Sequence, residues 1–488
     1  MAVTLPPGVY RRDIAQKSPA YVAICTQTAI PDGQTIDTTS NTLQSRMGVL
    51  TPTGASATDI VLSYPQFSCN IPEADFGVTY TVRAAIEYPA GTFTPVWTAA
   101  GSRDLVVAPG RGMVSFQPAP VWIPAGTKFW VKTFASWTPG NFYLSNHAAS
   151  WISGDGTRRG TGLTDDTTTA ATPVTTSSAG FGPSVYGRLS NPSVVLGLIG
   201  DSIMQTAVET GEPTTNWSFV ERAMRGVVPV LNTARNSDSM ALYLQRNGGR
   251  MSALRDSITH LFMGLGRNDL GASSLATMQA NYAKIIAPFL VRGVKVYGNS
   301  ITPYVTSSDG YVTVANQTIV SAGGRETVRV QFNDWLRTNW ASLGLSGFYD
   351  WGRAIDPTDS GKWQVDGTPG QSAQGFATLT GGAVSSVAMG SFLTSSNSGG
   401  FNYPLSTTVA CVVTNYPGTP GSGAAVTGST NGSGLVTSYA VDAAGSGYTY
   451  PPMVSPRGSW TNDGIHPDAR GYDQIISLCN IRPDTLVL

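Results

Sequence analysis

Apolar and polar positions alternate with a period of two over residues 78–88. Val78, Tyr80, Val82, Ala84, Ile86 and Tyr88 fall on one side, and Thr79, Thr81, Arg83, Ala85 and Glu87 on the other. This is the signature of a strand buried on one face. Pro-Ala-Gly turns at 89–91 and 124–126 separate it from neighbours such as Lys128 to Phe134. Residues 46–151 therefore predict an N-terminal β-sandwich, preceded by an irregular arm over 1–45 rich in Pro, Thr, Gln and Asp. Trp97, Trp122, Trp130, Trp137 and Trp151 lie in or just after this region. Tryptophans can stack on sugar faces, but at strand positions they more often fill a core, and the core reading is preferred. Residues 152–190, with Gly-Asp-Gly-Thr and runs of Thr, Ala and Ser, read as a linker or long surface loop.

From 191 the pattern becomes strand then helix, repeatedly. Strands are expected at 194–199, 228–234, 258–265, 294–301 and 347–351, with helices around 217–225, 240–254 and 325–340. The clearest helix follows Ser274, a good N-cap. Leu275, Met278, Tyr282, Ile285, Ile286 and Phe289 form one apolar face before Gly293. Such alternation predicts a parallel sheet with helices on both faces, a three-layer α/β domain over 191–365 plus 458–488. Between them, 366–457 reads as a Gly/Ser/Thr-rich β insert with a weak internal repeat. Gly400-Phe-Asn-Tyr403-Pro matches Gly447-Tyr448-Thr-Tyr-Pro, each after a Val-rich segment, which suggests two similar β units.

Composition narrows the function classes. The 488 residues imply several domains, and only 12% are charged, with a net charge of zero and no Lys/Arg-rich run. Nucleic-acid binding needs a basic patch and is not expected. A neutral polar surface with many aromatics suits carbohydrate better. Cys25, Cys69, Cys411 and Cys479 are scattered, which supports neither a disulfide framework nor a zinc ribbon. There is no His-Glu-x-x-His, calcium loop or histidine cluster, so no metal and no cofactor are expected. No apolar run is long enough to span a bilayer, and no classical signal peptide is visible, so synthesis in the cytoplasm is expected.

The candidate chemistry lies in four blocks. The run Val194 to Ile199 ends in Gly200-Asp201-Ser202, placing a hydroxyl where a strand hands over to a helix. Later come Asn232 to Ser239, Gly266-Arg267-Asn268-Asp269 and Asp463-Gly464-Ile465-His466-Pro467. Of three histidines, only His466 lies in an Asp-x-x-His arrangement, so Ser202, His466 and Asp463 are candidates for nucleophile, base and orienting carboxylate. Asp201 reads as a turn former, Asp269 as a helix cap, His260 as a core or edge histidine and His147 as a surface one.

In order and content these blocks resemble the SGNH (GDSL-type) hydrolases, which implies a flavodoxin-like parallel sheet. The resemblance also implies an oxyanion hole made of the Ser202 N–H, a backbone N–H in the second block and the Asn268 amide. There the family's usual glycine is replaced by Ser237, five residues after Asn232. A positive φ at that site would strain a serine by on the order of 1–3 kcal/mol. The activity implied is that of a serine esterase acting on acyl esters, chiefly O-acetyl, of a polysaccharide or cell-surface glycan through a seryl-acyl intermediate. The second reading is a virion or cell-surface glycan-binding protein that uses the hydrolase fold as scaffold. It draws on the arm and on Gly445-Ser-Gly-Tyr-x-x-Pro-Pro, which resembles repeats of bacteriophage tail proteins and implies a virion-associated or extracellular homo-oligomer, a trimer for a tail component. A lipase or thioesterase ranks lower, because no apolar lid helix adjoins the blocks.

Overall fold

The computed structural model describes residues 21–24, 30–31, 35–69, 72–145, 155–171, 180–191, 194–205, 218–389 and 400–486. Most of the arm's first 34 residues, His147 and Trp151 lie outside them. Two larger antiparallel sheets, with two small two-stranded ones, make up the N-terminal part. One runs in the order Val22–Ala23, Ser184–Leu189, Ala57–Pro65, Met113–Ser115. The other runs Gly156–Gly160, Thr42–Leu50, Lys128–Trp137, Tyr80–Glu87, Phe93–Pro95. Tyr80, Val82, Ala84 and Ile86 are buried, as their alternation requires. The two sheets share one core, across which the Tyr64 hydroxyl meets Thr133 Oγ1 at 2.7 Å.

Two expectations are corrected. Residues 152–190 are not a bare linker, because they supply Gly156–Gly160 to one sheet and Ser184–Leu189 to the other. Their strand character is hidden by small and polar side chains. Phe181, Val185 and Tyr186 enter the shared core, and the stretch before them is held by polar contacts, with buried Lys132 donating to the carbonyls of Asp166, Thr169 and Ala171 at 2.7–2.8 Å. Trp97 and Trp122 are 48% and 60% exposed rather than core. Trp137 is buried and stacks on Phe142 at 3.9 Å, and Trp130 lies under the Arg46 guanidinium.

The middle of the chain forms a five-stranded parallel sheet. Its order is Val230–Asn232, Leu196–Gly200, His260–Gly264, Lys295–Asn299, Gly347–Tyr349. Because side chains alternate across a strand, Val195 and Ile199 enter one core and Leu196 and Leu198 the other. The first core takes helix Leu275–Leu290, with Met278, Tyr282, Ile285, Ile286 and Phe289 inward, and Phe332 and Leu336 of Arg325–Asn339. The second takes Phe219 to Met224 and the last helix, Ala469–Leu478. The strand order reverses beside Leu196–Gly200, and open α/β sheets bind ligands in the crevice at such a point. The first core continues into the N-terminal sheets, where Tyr186 Oη donates to Ala253 O at 3.1 Å. Among the described residues no helix is long and apolar enough to cross a membrane.

The insert is a six-stranded antiparallel sheet. Two of its tyrosines make the same contact, although they are not equivalent positions of the sequence repeat, in which Tyr403 aligns with Tyr450. Tyr403 lies over Gly370, and Tyr448 over Gly421, so closely that a Cβ would meet each ring at 2.1 and 2.3 Å. The two glycines have φ of 127° and 126°, a conformation that side chains rarely adopt. Each tyrosine hydroxyl then accepts the N–H three residues past its glycine, from Ala373 at 3.3 Å and Ala424 at 3.2 Å.

Candidate active site

The apolar strand Leu196–Gly200 delivers Ser202 to the carboxyl edge of the sheet, at the start of the short helix Ser202–Gln205. Gly200 is required because a Cβ there would lie 2.3 Å from the Met204 side chain. Asp201 turns the chain, its Oδ1 accepting the Ile203 N–H at 3.0 Å. The structure brings Ser202, His466 and Asp463 into one hydrogen-bonded series. His466 Nε2 is 2.7 Å from Ser202 Oγ, across 264 residues of sequence, and His466 Nδ1 is 2.6 Å from Asp463 Oδ2.

Asp463 also shapes its own loop. Its Oδ1 accepts the N–H groups of Ile465 and His466, both at 2.8 Å. Burial pushes its carboxyl up, but His466 and those two amides together hold it below the usual carboxylate range. The carboxylate that orients the imidazole and stabilises its cation is thus ionised. The loop is pinned from outside as well. Gly464, at φ 78°, lies against the Val305 carbonyl with no room for a Cβ, and its own oxygen accepts from Val305 N and Trp363 Nε1, each at 3.1 Å. Tyr472 of the last helix donates to Ile203 O at 3.1 Å, tying it to the serine turn.

The second and third blocks adjoin the first. Gln205 of the serine helix accepts the Asn236 N–H, and Asn268 Nδ2 donates to Asp238 O at 2.8 Å. An amide has two N–H groups, so Asn268 keeps one for a ligand. Ser237 has φ 64°, the left-handed region in which the resemblance places a glycine. Ser237→Gly is expected to relieve that strain and stabilise by about 1 kcal/mol, less any entropy gained by the unfolded chain, as read by urea denaturation; a loss of stability would contradict it. Asn268→Ala is expected to lower kcat by about 10²–10³-fold with little change in KM, the cost of one oxyanion donor, and an equal rise in KM would count against that role.

Asp269 caps a helix of another segment, accepting the N–H groups of Met240 and Ala241 at 2.8 and 3.3 Å. His260 is fully buried, with Nδ1 2.8 Å from Thr259 Oγ1. Sequence reasoning missed Gln205, Tyr304, Glu73 and Arg250. Only the position of Gln205, one turn past Ser202, carried a signal for any of them.

Burial raises Asp201 and Asp468 to about 7 and Asp269 to about 6, against the amides that each accepts. Each binds its proton more tightly in the folded state, so its stabilising effect is complete below about pH 4 and is lost as pH rises through 6 to 7. Unfolding by urea is therefore expected to need less denaturant at pH 8 than at pH 5. Asp201→Asn should flatten the slope by on the order of 1 kcal/mol or more. Equal stability at both pH values would contradict this.

No family model matches the chain, and no curated protein does. Solved structures similar to part of it include GDSL-type hydrolases and esterases. A member of the lipolytic G-D-S-L family from Veillonella parvula matches at 17% identity and TM-score 0.27, over 34% of this chain and 82% of its own. An acetyl-xylooligosaccharide esterase from Geobacillus Stearmophilus matches at 12% and 0.26, over 34% and 78%. A Bacillus subtilis protein matches at 12% and 0.27, over 67% and 69%. At these values the likeness carries no argument about activity, which rests on the geometry above.

Proposed function

We propose that this chain is a serine esterase that removes O-acetyl groups from a polysaccharide through a seryl-acyl intermediate. The observation that carries this reading is the unbroken series from Ser202 Oγ through His466 to Asp463. Ser202 Oγ attacks the ester carbonyl carbon while its proton passes to His466 Nε2. Negative charge develops on the former carbonyl oxygen, where the Ser202 and Ser237 N–H groups and the Asn268 amide can donate. Collapse breaks the bond to the sugar oxygen, which takes the proton from His466. Water then adds to the acyl-serine with His466 as base, releasing acetate and restoring the hydroxyl.

A polymeric substrate is favoured by the surroundings of the histidine loop. The insert's border touches it, with Ser372 N donating to Asp468 at 3.2 Å and Asn462 Nδ2 to Ser372 Oγ at 3.3 Å. The exposed Trp97 and Trp122 are suited to stacking on sugar rings. The test is acetate release from acetylated xylan, together with 4-nitrophenyl esters of rising chain length, by the wild type and Ser202→Ala. Serine-dependent release that falls with acyl length supports the reading. Polysaccharide binding without turnover in either form would replace it with a binding role.

A further inference from the structure

Two arginines near this site make no ion pair with a carboxylate among the described residues, although Arg267 feels the charge of Asp201. Arg267, the residue before Asn268, is only 6% exposed. None of its side-chain N–H groups meets an acceptor among the described residues, and its Nη1 is wholly out of solvent. Arg325, half-buried at the start of helix Arg325–Asn339, likewise has neither side-chain hydrogen bond nor ion pair there. Both guanidinium groups lie against a single ring, that of Tyr304, at 4.6 and 5.7 Å from its centroid.

Half-buried Arg225, 5.6 Å from the Tyr450 ring centroid, shares this state, but the other deeply buried arginines do not. Arg329, one turn along from Arg325, is neutralised by Glu326 at 2.5 Å and Asp356 at 3.8 Å. Arg222 and Arg470 each have a carboxylate at 2.8 Å. Buried Arg235, which lacks one, gives its protons to the carbonyls of Ala234 and Ile30. A buried cation with neither kind of partner is costly, and burial lowers Arg267 to about 10.

The cluster is also placed to meet substrate. Arg267 adjoins the oxyanion amide in sequence. Tyr304 precedes Val305, whose N–H binds Gly464 O in the histidine loop. Arg267 and Asp201, the neighbour of Ser202, are close enough to feel each other's charge. Through Tyr304 and Val305 the cluster joins the oxyanion block to the histidine loop.

We infer that Arg267 and Arg325, around Tyr304, form an anion subsite that takes the carboxylate of an acidic sugar, so that the substrate is an O-acylated, carboxylate-bearing glycan. This rests on the esterase reading and narrows its substrate class. A guanidinium presents a planar fork of donors that matches a carboxylate, and the Tyr304 ring holds both forks in place without neutralising them.

Two experiments test it. The first compares kcat/KM on acetylated polygalacturonate with that on acetylated xylan. Arg325→Gln is expected to lower the ratio by about tenfold or more, mainly through KM, with partial recovery in Arg325→Lys. The second needs no turnover. Ser202→Ala should bind trigalacturonate more tightly than xylotriose in calorimetry, and Ser202→Ala/Arg325→Gln should lose that preference. An unchanged ratio in Arg325→Gln, or equal affinity of Ser202→Ala for the two trisaccharides, would overturn the subsite. If acetate is released from neither polymer while trigalacturonate binds through Arg325, the esterase reading falls and the subsite stands.

Discussion

Ser202→Ala, His466→Ala and the double variant are expected to lose kcat by the same factor, roughly 10⁴–10⁶-fold on 4-nitrophenyl acetate. The equality is the informative part. The hydroxyl is a nucleophile only while the imidazole 2.7 Å away can take its proton, so removing either group removes the whole step. What survives in each case is binding and the oxyanion donors, which none of the three variants touches. Steady-state rates, with circular dichroism to show an intact fold, make the comparison. Losses that multiplied in the double variant would mean that serine and histidine act separately, and the proposed mechanism would fail.

Glu73→Ala is expected to destabilise the protein by about 3–5 kcal/mol, the cost of stripping a partner from a buried ion pair. Glu73 belongs to the N-terminal part, yet its side chain is 1% exposed and accepts from Gly249 N, Arg250 N and Arg250 Nε at 2.9, 3.1 and 2.8 Å. Arg250 in turn bonds the Asp238 carboxylate, and the Asp238 carbonyl holds Asn268. Loss of Glu73 leaves a guanidinium in the core with one carboxylate instead of two, and uncaps the helix Gly248–Leu254. Because that helix leads to the oxyanion block, kcat should fall as well. Urea denaturation of the full chain reads the first effect. Glu73→Gln, whose carbonyl still accepts, should lose less. A loss under about 1 kcal/mol in Glu73→Ala would show that water replaces the carboxylate.

How much of this was legible in the chain differs between its parts. Local signals served well wherever one face of an element is apolar. The side chain of Ser274 accepts the Thr277 N–H, and the buried face of the following helix matches its 3.6-residue spacing. The four chemical blocks were legible because each is short and sits at a strand end or loop. The strands at 156–160 and 184–189 were not, because their Gly, Ser, Thr and Arg residues break any alternating apolar pattern, although Val185 and Tyr186 reach the core. The exposure of Trp97 and Trp122 was missed because the core reading assumed strand positions, whereas both lie in irregular segments outside the strands. Glu73 and Arg250 lie 177 residues apart, and no spacing rule joins charges brought together only by packing one part on another.

The tyrosine-covered glycines act as latches, Gly370 and Tyr403 bracketing the hairpin Gly375–Met389, and Gly421 and Tyr448 the hairpin Ser422–Ser446. The first latch closes on Ala373, next to Ser372, through which the insert meets Asp468 beyond the catalytic histidine. Rigidity set by a ring on bare backbone is thereby passed to the support of the catalytic base.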